Sequence, residues 1–329
     1  MIHRQPRRAT VVVLAAAVVL AGAVLALAGC ASLVGSPDGL KFVGNLWVSG
    51  RSPDPAFLTY WNQITVENAG KWGNVERERD RMEWSELDRA YAYSREHGIP
   101  FRLHTLVWGR SQPAWLGRLS DEELRLEVEE WITLAGARYP DVELIDVVNE
   151  PFHALPAYEY ALGGPGETGF DWIVTAFELA REHFPRAELA LNEYGILRSE
   201  SAARAYLRLV AILKERDLID AIGVQAHRLE DVPTGTVRSN LAILAEAGLP
   251  IYITEFDLGI TDDDEQARRM RELVTVFAEN DQVRGITLWG YREGEIYLGS
   301  AYLLGADGTE RSALRWLREF TAGAAPEAR

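Results

Sequence analysis

The chain has 329 residues, a formal net charge of −15 and one cysteine. That charge argues against nucleic acid or an anionic membrane surface as the ligand, and a lone cysteine excludes an internal disulfide and any cysteine-based metal site. Ten tryptophans and twelve tyrosines supply flat amphipathic rings that can stack on sugar faces, although about two thirds of them are expected in the core.

Residues 1–29 have the anatomy of an export signal, with Arg4, Arg7 and Arg8 ahead of an almost purely apolar run from Val11 to Leu27. That run is long enough to span a bilayer as an uncleaved anchor, but it closes on Leu27-Ala28-Gly29-Cys30. Small residues before a lone cysteine resemble the bacterial lipoprotein signal. The resemblance implies lipid on Cys30 and a protein exported to the outer face of a membrane, which it touches only through that lipid. Cleavage before Cys30 leaves 300 of the 329 residues and, by removing three arginines, takes the net charge from −15 to −18. Residues 30–40 then read as a tether, 41–322 as one domain, and 323–329 as a frayed polar tail.

Beyond the tether, short β-branched or apolar runs alternate with longer amphipathic stretches, the pattern of βαβ units around a parallel sheet. Strands are expected at 41–47, 63–67, 101–107, 144–149, 187–192, 221–226, 251–255 and 285–289. Apolar residues at three-and-four spacing predict helices at 85–97, 121–138, 171–183, 199–217, 237–247, 263–279 and 312–320. Gly98 before Pro100 and Gly248 before Pro250 are stop signals that end a helix and start the next strand. Eight such units over some 280 residues predict an α/β fold, a single (β/α)8 TIM barrel. An open doubly wound sheet would carry a glycine-rich phosphate turn after its first strand, and Gly163-Gly164-Pro165-Gly166 lacks that context.

In such a barrel the chemistry sits at the C-terminal strand ends, and polar residues gather there. The second strand ends in Glu67-Asn68 with Lys71 following, the third carries His104 and runs into Trp108, and the fourth ends Asn149-Glu150. The fifth ends Asn192-Glu193-Tyr194, the sixth Gln225-Ala226-His227, the seventh Glu255-Phe256-Asp257 and the eighth Trp289. Two carboxylates facing each other from separate strand ends suit glycoside hydrolysis, in which one protonates the leaving oxygen and the other attacks the anomeric carbon. Asn149 could bond the sugar 2-hydroxyl. Asp257, two residues beyond Glu255 and so on the same side of an extended chain, could orient His227. The competing reading of His227, Glu255, Asp257 and His104 as a metal site lacks the close helical ligand spacing of metal hydrolases. The expectation is therefore no metal and no cofactor.

The segments ITVENAGKW (64–72), HTLVW (104–108), DVVNEP (146–151), LNEY (191–194), GVQAHR (223–228), ITEFD (253–257) and ITLWG (286–290) occur in order. Together they resemble glycoside hydrolase family 10, the endo-β-1,4-xylanase family, from about Phe42 to Phe320. The resemblance implies a retaining hydrolase of xylan or xylo-oligosaccharides, with Glu150 as acid/base and Glu255 as nucleophile. It further implies Asn149, Gln225 and His227 around the cleaved sugar, and Glu67, Asn68, Lys71, His104, Trp108 and Trp289 on the non-reducing side. Tyr194 would fall on the leaving-group side, and a monomer is expected.

Two departures bear on specificity. Gly109, followed by Arg110, stands where many members have a histidine. After the eighth strand, YREGEIY replaces an acidic residue and a covering tryptophan, with Glu293 and Tyr297 as the candidates to stand in. A barrel glycosidase acting on β-glucan and a sugar-binding surface lipoprotein without catalysis are the alternative readings.

Overall fold

Each of the eight apolar runs becomes a strand: β1 (Phe42–Trp47), β2 (Ile64–Val66), β3 (Phe101–Val107), β4 (Leu144–Asn149), β5 (Glu188–Glu193), β6 (Ala221–Val224), β7 (Ile251–Phe256) and β8 (Val283–Leu288). In the computed structural model, which describes residues 39–50 and 55–322, all pairings are parallel and the order is sequential. β1 pairs with β2 through Asn45 and Ile64 and with β8 through Val43 and Ile286, so the sheet is a closed barrel and not an open one. The expected signal, Cys30 and the 323–329 tail lie outside the described residues. Of the expected tether, Gly39 and Leu40 are described, and Leu40 is already buried, so packing begins one residue earlier than the pattern indicates.

The strands are apolar on both faces because one side meets helices and the other fills the barrel. At the N-terminal end the filling is hydrocarbon: Phe42 stacks on Tyr252 at 5.5 Å, beside Leu144, Ala190 and Ala221. Polar side chains follow. Gln63 donates to Thr65 Oγ1 at 2.8 Å and accepts from Thr287 at 2.9 Å, and a side chain on Gly44 would strike its amide. Arg102, 1% exposed, donates to the Thr254 carbonyl at 2.6 Å and lies 3.7 Å from Asp146. The barrel therefore becomes more polar toward the end where its loops converge.

The long helices follow the three-and-four spacing. They are α3 (Ser85–His97), α4 (Asp121–Arg138), α5 (Asp171–His183), α6 (Glu200–Lys214), α7 (Thr234–Ala245), α8 (Asp263–Ala278) and α9 (Ser312–Thr321). α4 starts with a reciprocal cap between Ser120 and Glu123, two orphan donors satisfied at once, and buries Leu124, Val128, Trp131, Ile132 and Ala135. α3 ends on Gly98 in the left-handed conformation, φ 62°. α6 stops three residues before its expected end because Asp217 turns left-handed, φ 56°. α7 begins three residues early, directly after Pro233, whose carbonyl accepts from Thr236 and Val237. Two single-turn helices, α1 (Phe57–Tyr60) and α2 (Trp72–Val75), and two short 3-10 segments are too brief for a periodic signal.

One aromatic stack ties this frame to the loops. Trp131 on α4 lies between Trp84 and Trp72, nearly parallel to both at 5.5 and 6.1 Å, and donates to the Leu106 carbonyl at 3.0 Å. Trp72 in turn donates to Glu76 at 2.7 Å. This fixes the start of α2 and with it the adjacent Lys71.

Candidate active site

Glu255 is the penultimate residue of β7, so the strand itself aims its side chain at the barrel mouth. It is 4% exposed and surrounded by donors. Asn192, at the end of β5, donates to one oxygen at 2.6 Å, and His227 Nε2 lies 3.2 Å from the other. His227 Nδ1 is 2.8 Å from Asp257. Burial works against a charge on the ring, but hydrogen bonds to Asp257 and Glu255 outweigh it and push His227 up to about 10. Burial likewise opposes ionisation of Glu255, and the His227 bond with the charges of His104, His227 and Arg102 overcomes it and lowers Glu255 to about 2. At neutral pH the pair is imidazolium and carboxylate, and both ring nitrogens donate to carboxylates. His104, from the competing metal reading, is bound to Asp146 at 2.8 Å.

Glu150 follows β4 directly and has φ 54°, a left-handed conformation costly for a residue with a β-carbon. It is held there by its own backbone. Its N–H donates to the Asn192 carbonyl at 2.8 Å, and its carbonyl accepts from His153 and Ala154, each at 3.0 Å. The side chain receives Trp108 Nε1 at 3.2 Å and Gln225 Nε2 at 3.4 Å. Gln225 also donates to Asn149 at 3.2 Å, and Asn149 accepts from Asn192 at 2.9 Å. Asn192 thus links both carboxylates into one network. The sequence places it among the polar residues at the fifth strand's end but assigns it no role. Glu193 beside it points away from solvent and accepts from Phe152, His153 and Tyr194, tying the segment after Glu150 to β5.

A cleft of about 930 Å³ contains Lys71, His104, Trp108, Asn149, Glu150, Tyr194, Gln225, His227, Glu255 and Trp289. Lys71 donates to Asn68 at 3.0 Å and lies over the Trp108 ring at 5.0 Å. Burial pulls its ammonium below the usual lysine range, with Glu255, Glu67 and Glu150 opposing. Trp289 meets His104 edge-on at 5.4 Å and His227 at 6.2 Å. Asn68, bonded to Lys71, borders a cavity of about 320 Å³ with Ser49 and Arg77, and Glu67 acts on Lys71 through its charge. Asp257 lies behind His227 and outside the lining.

The departures also have physical explanations. A β-carbon on Gly109 would fall 2.2 Å from the Leu155 carbonyl, so the segment after Glu150 occupies the space a side chain would need. Arg110 turns instead to Glu150, with Nε 3.5 Å from the carboxylate. Tyr297 lines the cleft and meets His227 edge-on at 6.1 Å, whereas Glu293 accepts from Ala306 and serves its own loop. Arg198 and Arg228, which sequence reading passed over, line the cleft as well.

Comparison with known proteins agrees with this geometry. Endo-1,4-beta-xylanase B of Cellvibrio japonicus is 41% identical over 279 residues, which cover 84% of this chain and 45% of that protein, so the chain spans just under half of that relative. Endo-1,4-beta-xylanase A of Caldicellulosiruptor saccharolyticus is 29% identical over 259 residues, covering 71% and 76% of the two chains. Among solved structures, a family 10 member from Paenibacillus barcinonensis superposes with a TM-score of 0.77 at 26% identity, covering 88% of this chain and 96% of its own. The model of glycosyl hydrolase family 10 matches residues 45–320, nearly the whole barrel, and the chain belongs to that family.

Proposed function

We propose that the chain is a retaining β-1,4-xylanase that cleaves xylan or xylo-oligosaccharides by double displacement. The observation that carries this reading is a buried carboxylate, Glu255, kept ionised chiefly by its His227 hydrogen bond and also bonded by Asn192, in the same cleft as Glu150. The names of the relatives point to the same substrate. Protonated Glu150 gives its proton to the glycosidic oxygen while Glu255 attacks the anomeric carbon, forming a glycosyl ester and releasing the leaving-group sugar. Glu255 has then lost its charge. Glu150, now a carboxylate beside Arg110, removes a proton from water, which attacks the anomeric carbon and releases Glu255. Two inversions give net retention. Nothing in these steps calls for a metal or cofactor.

The test is hydrolysis of xylo-oligosaccharides followed by proton NMR. Initial release of the β-anomer supports the reading, and initial release of the α-anomer, or no hydrolysis, defeats it. The chain is further proposed to act as a monomer, lipid-anchored through Cys30 at the outer face of a membrane, on the support of the Leu27-Ala28-Gly29-Cys30 sequence. Cys30→Ser should then block lipidation and cleavage before Cys30, and a mature N-terminus mapped by mass spectrometry to a residue other than Cys30 contradicts the anchor.

A further inference from the structure

The protein carries a net charge of −15, yet three arginines, Arg110, Arg198 and Arg228, line one cleft beside Glu150 and Tyr194. Arg198 is accounted for: it pairs with Asp231 at 3.2 Å and donates to the Arg228 carbonyl, bracing a turn in which Arg228 has φ 55°. Arg228 itself is exposed, lines the cleft with Tyr297, and has no ion-pair partner among the described residues. Arg110 is exposed too, and its only ion-pair partner among the described residues is Glu150. Both guanidinium charges act on the Tyr194 hydroxyl, which lines the same cleft.

A neutral xylose chain offers two guanidinium groups hydroxyl acceptors but no opposite charge. Their planar forks match a carboxylate, which they can bind in bidentate fashion. Catalysis also frees one of them, because Glu150 must be protonated when substrate binds and a neutral carboxyl offers Arg110 no charge. β5 and β6, which carry Tyr194 and Arg228 beyond their ends, lie across the closed ring from β1 and β2, so these residues stand opposite Lys71. Resting on the xylanase reading above, we propose that Arg110 and Arg228 are specificity-determining residues that bind the carboxylate of an acidic sugar branched from the leaving-group side of the xylan chain.

The test compares one polymer in two forms, a glucuronic acid-substituted xylan and the same xylan with its carboxyl groups reduced to alcohols. Exposed ion pairs are individually weak, so the wild type should favour the charged form in kcat/KM by about three- to tenfold at low salt. That preference should shrink as salt is raised to about 0.5 M. In Arg110→Gln/Arg228→Gln, with Arg198 paired to Asp231 and Lys71 across the ring, repulsion from the protein's net charge dominates. Its ratio should fall to one or below and rise with salt, the opposite trend. Arg228→Gln alone should lower the ratio partway, and Arg228→Lys should restore part of it.

A wild-type ratio of one or below, or variants that lose equally on both polymers, overturns the proposal while leaving the xylanase reading intact. Hydrolysis of neither polymer by the wild type overturns that reading and this proposal with it.

Discussion

The side-chain amide of Asn192 lies 2.6 Å from the carboxylate of Glu255, and the same nitrogen lies 2.9 Å from Asn149. Thr254 donates to the other end of the Asn192 side chain at 2.6 Å, which fixes which end faces the carboxylate. β5, two strands away from β7 in the closed ring, therefore orients Glu255 through a hydrogen bond that favours its carboxylate form. Hydrogen bonds to charged groups are worth about 1.5–3 kcal/mol, so Asn192→Ala should lower kcat roughly 10- to 100-fold. Steady-state kinetics check this, and a change confined to KM would show that Asn192 only binds substrate.

The ion pair between His227 and Glu255 predicts the pH dependence of stability. His227, raised from 6.5 to about 10, contributes fully below about pH 6.5, and that contribution is lost as pH rises through about 10. Glu255, lowered from 4.5 to about 2, contributes fully above about pH 4.5, and its share is lost as pH falls through about 2. The two shifts describe one shared bond and are counted once. His227→Asn should therefore lower Tm most between about pH 4.5 and 6.5, with the gap to wild type narrowing toward pH 10. Thermal scans across that range check this, and a constant gap would contradict it.

Gly109 has no room for the histidine common in the family. A β-carbon there meets backbone at Leu155, which cannot rotate away as a side chain would. Gly109→Ala should cost about 1–3 kcal/mol of stability. It should also depress kcat, because the displaced segment is bonded to the Glu150 carbonyl through the Ala154 N–H. Denaturant unfolding and xylan kinetics on one preparation check both, and an unchanged kcat would uncouple that segment from the acid/base.

Much of the site was legible because strand ends are easy to find: a β-branched run closing on Asn149-Glu150 or on Glu255-Phe256-Asp257 places a side chain at the barrel mouth by period alone. What escaped depends on partners across the ring. Asn192 was visible at a strand end, but its bond to Glu255 spans 63 positions. Arg110 and Arg228 sit on loops, where no period says which way a side chain points. Glu67 and Asn68 were assigned to the sugar side by resemblance, and in the folded chain both act on Lys71, Asn68 by a hydrogen bond and Glu67 by its charge. Helix ends moved wherever a single residue, such as Asp217, turned left-handed.

Glu150→Ala should cripple hydrolysis of xylan but spare the first step on aryl xylosides, whose leaving group departs without a proton. Glu255→Ala should be inactive on both. Parallel assays on a dinitrophenyl xylobioside and on xylan check the assignment, and equal loss of both variants on the aryl substrate would contradict it.

The central claim is that Glu255 forms a covalent bond to the sugar, and it can be read directly. A xylobioside with fluorine at C2 and an activated leaving group slows both steps, and the good leaving group lets the ester accumulate. Mass spectrometry of the inactivated protein should show one added fluoroxylobiosyl group, located by peptide mapping at Glu255. Attachment at Glu150, or turnover with no adduct and an inverted product, would contradict the account.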